Sequence, residues 1–423
     1  MNRISVNGAF KKSYWKKSIV FFLLLIVPLL NGCWDRREVE SLGLIQTLGI
    51  DPGPNGKGLT ITTLIAVPPK VAGGSNGGGG GGDETGAFVI SMDAPTFYEG
   101  FNLLNTTINR DLTLLQNSTL IISEDLAKKG IKKWVDNLIR FRQMRRTVLL
   151  FIAEGKAADV MNVKPKLEKN PSEYFVDLAM KSRRNGMFPY TRLHDFLSSY
   201  EAYAQESFVP YLAKYKRKEP AKEEKQNDGQ SAGKSPPKPE GEAVRIKGTA
   251  VFRKDKMVGT FDLYESQVLL LLINQFREAE LSIPDPLKKN NLIAFRLIRA
   301  VPIRIRYHRN SGENRFTVNL NLEVDLISIQ SEINYTEPKL EKVLAKHIAK
   351  TLKNRIVKVI KKAQQEYNSD VFGFGTQVRK TMLTAQDWDN YHWPEKFKDA
   401  RIKVNVKVAL RRVGLQFQPP KLR

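Results

Sequence analysis

One thiol and four imidazoles make up the soft-nucleophile and metal-ligating chemistry of this chain. Cys33 is the single cysteine among 423 residues, so an intramolecular disulfide framework is excluded. His194, His308, His347 and His392 lie far apart, and none has a cysteine or a second histidine at metal-ligand spacing. No G-x-S-x-G stands at a strand-to-helix elbow, GGSNG at 73–77 lying inside a glycine run, and no H-E-x-x-H pair, Walker loop or helix-opening G-x-G-x-x-G occurs. Paired carboxylates such as Glu223 and Glu224 sit in a polar stretch, where nothing excludes water or shifts a pKa. Residues 387–397, DWDNYHWPEKF, interleave aromatics with charge, and Trp388, Tyr391 and Trp393 read there as packing or docking residues. These residues point away from catalysis, and no metal or cofactor is expected.

The setting of Cys33 suggests chemistry done to the protein. Residues 1–18 carry Arg3, Lys11, Lys12, Lys16 and Lys17 with no acid, and residues 19–30, IVFFLLLIVPLL, are apolar. A positive segment, a short apolar run and then small Gly32 form the signal-peptide pattern. Twelve helical residues reach roughly 18 Å, short of a hydrocarbon core of about 30 Å, and Pro28 suits a break before a cleavage site. The other reading of the run is a short membrane anchor that stays attached. Residues 30–33, LNGC, resemble the lipobox of bacterial lipoproteins. That resemblance implies a diacylglyceryl thioether on Cys33, cleavage between Gly32 and Cys33, and Cys33 as the first mature residue. Two acyl chains anchor firmly where one is marginal, at about 0.8 kcal/mol per buried CH₂. Trp34 then falls at headgroup depth, where an amphipathic ring is favoured. Asp35, Arg36 and Arg37 become membrane-proximal, either contacting partner subunits or simply solvated.

The formal charge of +24, from 68 Lys and Arg against 44 Asp and Glu, calls for an anionic neighbour: nucleic acid, anionic lipid or an acidic protein. Losing the five amino-terminal positive charges leaves +19, so the basicity belongs to the folded part. Residues 128–146 and 338–367 concentrate it. An exported lipoprotein does not meet genomic DNA, so no nucleic-acid partner is expected. A solvated face, anionic lipid and acidic partner surfaces remain.

Two compositional breaks divide the chain: GGSNGGGGGGDETG at 73–86, a flexible insert, and the Pro-, Gly- and charge-rich 216–242, a disordered linker or long surface loop. Before the linker, strand and helix patterns alternate, with helices expected at 125–141 and across 171–200. After it, residues 301–329 alternate strictly: Phe316, Val318, Leu320, Leu322, Val324 and Leu326 share a face, and NSGEN at 310–314 supplies a hairpin turn. Residues 338–367 carry an apolar stripe at three- and four-residue steps, with Leu344, Ile348, Leu352 and Ile356 at its centre. Residues 401–415 alternate again and can pair with the hairpin. The fold class is α+β (mixed α/β) and multi-domain, with mainly antiparallel or mixed sheets flanked by helices and a carboxyl-terminal sheet covered by one long amphipathic helix. The expected segments are a signal peptide at 1–32, a mixed sheet and helix domain at 33–165, a middle domain at 166–290 and an α+β domain at 291–423.

Three separated motifs resemble one family. GCWDRREVESLGLIQTLGID at 32–51 is similar to the mature start of the C subunits of nutrient germinant receptors in endospore-forming bacteria, the Ger(x)C lipoproteins. GTAVFRKDKMVG at 248–259 looks like that family's middle motif. NSDVFGFG at 368–375, followed by Trp388 and RIKVNVKVALRRVG, looks like its carboxyl-terminal signature. The resemblance implies a non-enzymatic subunit held by lipid on the outer face of the spore inner membrane. It would assemble with integral-membrane A and B subunits to trigger germination on nutrients. An extracytoplasmic lipoprotein that itself binds a small nutrient is the alternative. From the residues alone, Gly373 and Gly375 permit a tight turn that buries Phe372 or Phe374.

Overall fold

The computed structural model describes residues 20–22, 38, 41–66, 87–163, 171–215, 243–299, 301–310, 312–331 and 333–412. The chain divides into two compact units, Met1–Gly43 and Leu44–Arg423, and the elements below build the second. Gly32, Cys33, Trp34, Asp35, Arg36 and Arg37, together with the insert 73–86 and the linker 216–242, lie outside the described residues.

A nine-stranded mixed sheet comes first. β1 (Leu42–Pro52), β2 (Leu59–Ala66) and β3 (Ala87–Ala94) run antiparallel. α1 (Phe97–Thr107) and the short β4 (Asp111–Thr113) lead to β5 (Thr119–Ser123), which lies parallel to β1. α2 (Glu124–Lys129) and α3 (Lys132–Ile139) cross over to β6 (Leu149–Ala153). α4 (Ala157–Met161), α5 (Pro171–Asn185) and α6 (Leu193–Ala202) then lead to β7 (Phe208–Tyr215), and β5, β6 and β7 are parallel neighbours. β8 (Ala243–Arg253) and β9 (Lys256–Asp262) return antiparallel. Every residue of β5 and β6 is buried because helices cover both faces of the parallel centre. Leu120, Ile122, Leu150 and Ile152 face a core with Phe97, Leu138 and Phe196. Ile121 and Phe151 point the other way, onto Ala157, Met161 and Phe175. Each low-complexity stretch falls between hydrogen-bonded neighbours, β2 and β3 or β7 and β8, so segments on both sides of the linker share one sheet.

α7 (Leu263–Leu272) opens on a capping box, Asp262 with Glu265, and is apolar nearly all round because it packs on both sides. A five-stranded sheet follows. β10 (Glu278–Pro284), β11 (Leu292–Arg299), β12 (Arg304–Asn310) and β13 (Glu313–Ile329) pair antiparallel, and β14 (Arg401–Arg412) lies parallel along β13. The β12–β13 hairpin is the one its alternation specifies, with Phe316 to Leu326 facing inward. α8 (Pro338–Lys362) covers that face, burying Leu344, Ile348, Leu352, Ile356, Val359 and Ile360. Pro338 sits in its first turn, where a missing N–H costs nothing, and Lys361 and Lys362 complement the dipole in its last. A π-turn (Ala363–Tyr367) ends it, followed by α9 (Phe374–Arg379), α10 (Ala385–Tyr391) and α11 (Trp393–Lys396).

Two expected helices are each two. The 125–141 helix is α2 and α3, bent where the Ile131 amide leaves the helix to donate to the Asp255 carbonyl. The 171–200 segment is α5 and α6, α5 ending where Gly186 takes φ +56° and its amide donates to the Ser182 carbonyl.

Phe316 is 1% exposed and its ring meets Tyr307, Phe374 and Trp393 at 5.0–5.7 Å. Phe316→Ala is expected to cost about 3–5 kcal/mol in urea unfolding, because it opens a cavity under all three rings.

Candidate functional site

The motif residues of the middle and carboxyl-terminal thirds meet where the helical layer of the second sheet touches the edge of the first. Ser369 Oγ donates to the Phe252 carbonyl of β8 at 2.5 Å. The Tyr367 hydroxyl donates to the Thr260 carbonyl of β9 at 2.8 Å. Its ring lies on Gly259, where a Cβ would fall 2.3 Å from a ring carbon, so only glycine fits. From the turn before β7, the Glu206 amide donates to the Asp370 carbonyl at 2.9 Å, and Gln205 Nε2 donates to the Val371 carbonyl at 2.7 Å.

The centre of this junction is the Asp370 carboxylate, 2% exposed. Oδ1 accepts from the Phe374 amide at 3.1 Å; Oδ2 accepts from the Gly375 amide at 2.7 Å and from Trp393 Nε1 at 2.8 Å. Gly373 holds φ +78°, which turns the chain so that the next two amides aim back at Asp370. A Cβ on Gly375 would sit 2.4 Å from the Trp393 ring and 2.5 Å from the Ala204 carbonyl oxygen, neither of which can yield. Both Phe372 and Phe374 are buried, and Phe374 packs on Phe316, Phe372 and Phe397. Trp388 is 6% exposed and stacks on Tyr391 at 6.4 Å, at the rim of the cluster. Sequence reasoning chose Trp388, the FGFG residues and Trp393 as a packing or docking residue, but missed Asp370 and Glu206 and the hydrogen bond from Trp393 to Asp370. Asp370 lies inside NSDVFGFG, and the amides it binds follow within five residues. Trp393 and Glu206 join it from 23 and 164 positions away, with no local signal.

Burial pushes the Asp370 carboxyl up to about 6, although its three donors pull the other way. Half-buried Glu206 accepts from the Lys254 amide at 2.6 Å; burial, with the Asp370 charge adding to it, pushes its carboxyl up to about 7.

Beside the junction lies a polar cleft of about 350 Å³, lined by Glu154, Lys247, Tyr211, Phe261, Glu265 and Lys362 among others. Its charges are matched: Lys247 to Glu154 at 2.6 Å and Lys362 to Glu265 at 2.7 Å. The Tyr211 hydroxyl donates to Glu124 at 2.9 Å, and burial, with that carboxylate, pushes the phenol up. Lys362 Nζ also lies 5.7 Å from the centre of the Phe261 ring and 5.5 Å from that of Tyr367. His347 Nε2 meets the Pro284 carbonyl at 3.1 Å, and His308 is exposed on β12. Among the described residues, no group of three or more His, Cys, Asp or Glu side chains is placed to hold a metal ion.

Asp370→Asn is expected to destabilise by about 2–4 kcal/mol in urea unfolding, although it removes a buried charge. An amide presents one acceptor oxygen, and its NH₂ would face a donor. The pH dependence has a defined sign. Asp370 and Glu206 bind a proton more tightly folded than unfolded. Their contribution to stability is therefore full at low pH and is lost as pH rises from the ordinary carboxylate range through 6 and 7. Glu206→Gln keeps the acceptor for Lys254 and removes the titration. It is expected to flatten the fall in unfolding free energy between pH 5 and pH 8, and to stabilise at pH 8 by about 1–2 kcal/mol.

Two family descriptions account for nearly all of the chain after Cys33. The family described as spore germination protein N-terminal domain matches residues 35–214, and the one described as spore germination B3/GerAC like, C-terminal, matches 247–414. Putative spore germination protein YfkR of Bacillus subtilis (strain 168) is 24% identical over 401 residues, 93% of this chain and 96% of that one. Spore germination protein GerQC of Bacillus cereus is 23% identical over 405 residues, 94% and 99% of the two chains. The crystal structure of the GerBC protein superposes with a TM-score of 0.50 at 16% identity, covering 86% of this chain and 96% of that one, and so shares the fold. The junction motifs and both halves of the chain thus agree: this protein belongs to the Ger(x)C family of spore germination proteins.

Proposed function

We propose that this chain is a non-enzymatic, lipid-anchored subunit of a germinant receptor. It acts in assembly and signalling with two integral-membrane subunits, A and B, so that nutrients trigger germination. The observation that carries this reading is the order of signals along the chain. A positive segment, an apolar run and LNGC end at Cys33, and the family match begins at residue 35. In this reading residues 1–32 are an address removed by cleavage, and a diacylglyceryl group on Cys33, extended by a further acyl chain such as palmitate, tethers the mature protein. The tether lies on the outer face of the spore inner membrane. Trp34 rests at headgroup depth, and Asp35, Arg36 and Arg37 face the partner subunits. Among the described residues no helix is long and apolar enough to cross a membrane, which is compatible with attachment through lipid.

The polar cleft favours a second reading, capture of a small nutrient by this chain itself. Its ion pairs of both signs beside the Phe261 ring suit a small zwitterion.

Cys33→Ala is expected to abolish the mass increment of the lipid, leave the protein unprocessed or released from spore membranes, and slow nutrient germination several-fold. Retention and germination at the parental rate would count against the anchor. In a thermal-shift screen of the chain against amino acids, sugars and nucleosides, no compound is expected to stabilise it. A ligand at a hundredfold excess over its Kd would add about 2.7 kcal/mol and move the reading to direct capture.

A further inference from the structure

We propose that the outer face of α8 is a ridge that docks flat on an anionic lipid surface. The proposal goes beyond anchoring through Cys33 and gives the anchored chain a fixed face toward the bilayer. Lys339, Lys342, Lys346, Lys350, Lys353 and Lys361 follow one another at three- and four-residue steps, with Val357 filling the one gap. All six are exposed, opposite the buried stripe that fixes the helix to its sheet. At ~1.5 Å per residue the ridge runs roughly 33 Å in a line. Glu341 is the one acid between Pro338 and Lys362, and it lies off this line.

Elsewhere in the same half of the molecule several arginines are paired. Arg296 pairs with Glu280 at 3.0 Å, Arg401 with Glu313 at 3.0 Å, and Arg411 with Asp325 at 2.9 Å. Among the described residues none of the six ridge lysines has a carboxylate within 4.0 Å, whereas Lys362, at the helix end and turned to the cleft, is paired. Unpaired cations also stand on β12 and β14, among them Arg304, Arg306, Lys403 and Lys407, but on α8 six of them follow one line that carries no acid.

The chemistry of the ridge favours lipid over protein. Protein interfaces deplete lysine and enrich arginine and aromatic residues in packed pockets. The ridge has lysine alone, no aromatic and a straight outline. Lysine presents a hydrated point charge on a flexible stem, which suits a diffuse planar field more than bidentate recognition. Each lysine near an anionic leaflet adds its own attraction, so six together fix an orientation that a flexible tether leaves free. Val343, 41% exposed between Lys342 and Lys346, adds apolar area at the same level.

The test reconstitutes the full-length chain, with its amino-terminal segment intact, into vesicles of phosphatidylcholine alone or with about three parts in ten phosphatidylglycerol. An amine-acylating reagent and mass spectrometry then read each lysine. The expected result is that Lys342, Lys346, Lys350 and Lys353 react several-fold more slowly on the anionic vesicles. Protection should vanish at about 0.5 M NaCl, where the Debye length is roughly 4 Å. Lys247 and Lys362, paired in the cleft, should react alike on both vesicles. A chain with Lys342, Lys346, Lys350 and Lys353 all changed to Gln, exposed positions where the helix is kept, should lose the salt-sensitive part of vesicle binding. Retention on both vesicle types with equal ridge labelling overturns the ridge and leaves the anchor standing. Ridge protection on anionic vesicles without retention on phosphatidylcholine leaves the ridge standing and overturns the anchor. Protection that appears only with other spore-membrane proteins present, and not on pure lipid, overturns the proposal in favour of an acidic protein partner.

Discussion

A single carboxylate without access to water orders the segment that joins the two sheets. Asp370 costs free energy to bury as an anion, and three donors converging on it from the start of α9 and from Trp393 offset part of that cost. Those donors cannot converge unless Gly373 turns the chain and Gly375 lets the indole lie against the backbone. Once they do, the backbone of the same segment is fixed to accept from Glu206 and Gln205, and Ser369 reaches β8. One buried charge therefore positions an aromatic cluster on one side and stitches an edge of the first sheet on the other.

The molecule uses the device more than once. Asp51, buried at the end of β1, accepts from the amides of Ala157 and Ala158 at 2.7 and 3.0 Å, and so caps α4 from across the sheet. Burial raises its carboxyl, and those amides restrain the rise. Asp285 accepts from the Leu287 and Lys288 amides and from the hydroxyls of Ser331 and Tyr335. Burial pushes its carboxyl up, but the hydroxyls and amides outweigh that and hold it below the ordinary range. In each case a local charge satisfies backbone donors that a short helix or turn leaves open. The interior thus holds its acids where they order the chain, while α8 shows its lysines to solvent. A chain built this way carries its polar specificity in joints between layers.

Much of the fold was legible because it rests on periodicity. The two-residue alternation from Phe316 to Leu326 can bury a face only as a strand, and the 3.6-residue stripe from Leu344 to Ile360 only as a helix. Their pairing as a covered sheet follows from the need to bury both faces. The parallel centre was less legible: β5 and β6 are short, apolar throughout and indistinguishable by period from buried helix. The helix breaks fall at Gly130 and Gly186, which take positive φ, a backbone choice that the apolar pattern does not reveal.

The sequence by itself raised the expectation of lipid attachment at Cys33 and carried the basic helix and the family motifs, because each is a pattern within a few dozen residues. Only the tertiary structure decided what those motifs are for. Asp370, Trp393 and Glu206 acquire meaning from one another, across 23 to 164 residues, and a buried carboxylate looks in sequence like any surface acid. The same holds for the lysines of α8. Their spacing is written in the chain, but whether acids from neighbouring strands neutralise them depends on which face the helix buries, and packing alone sets that face.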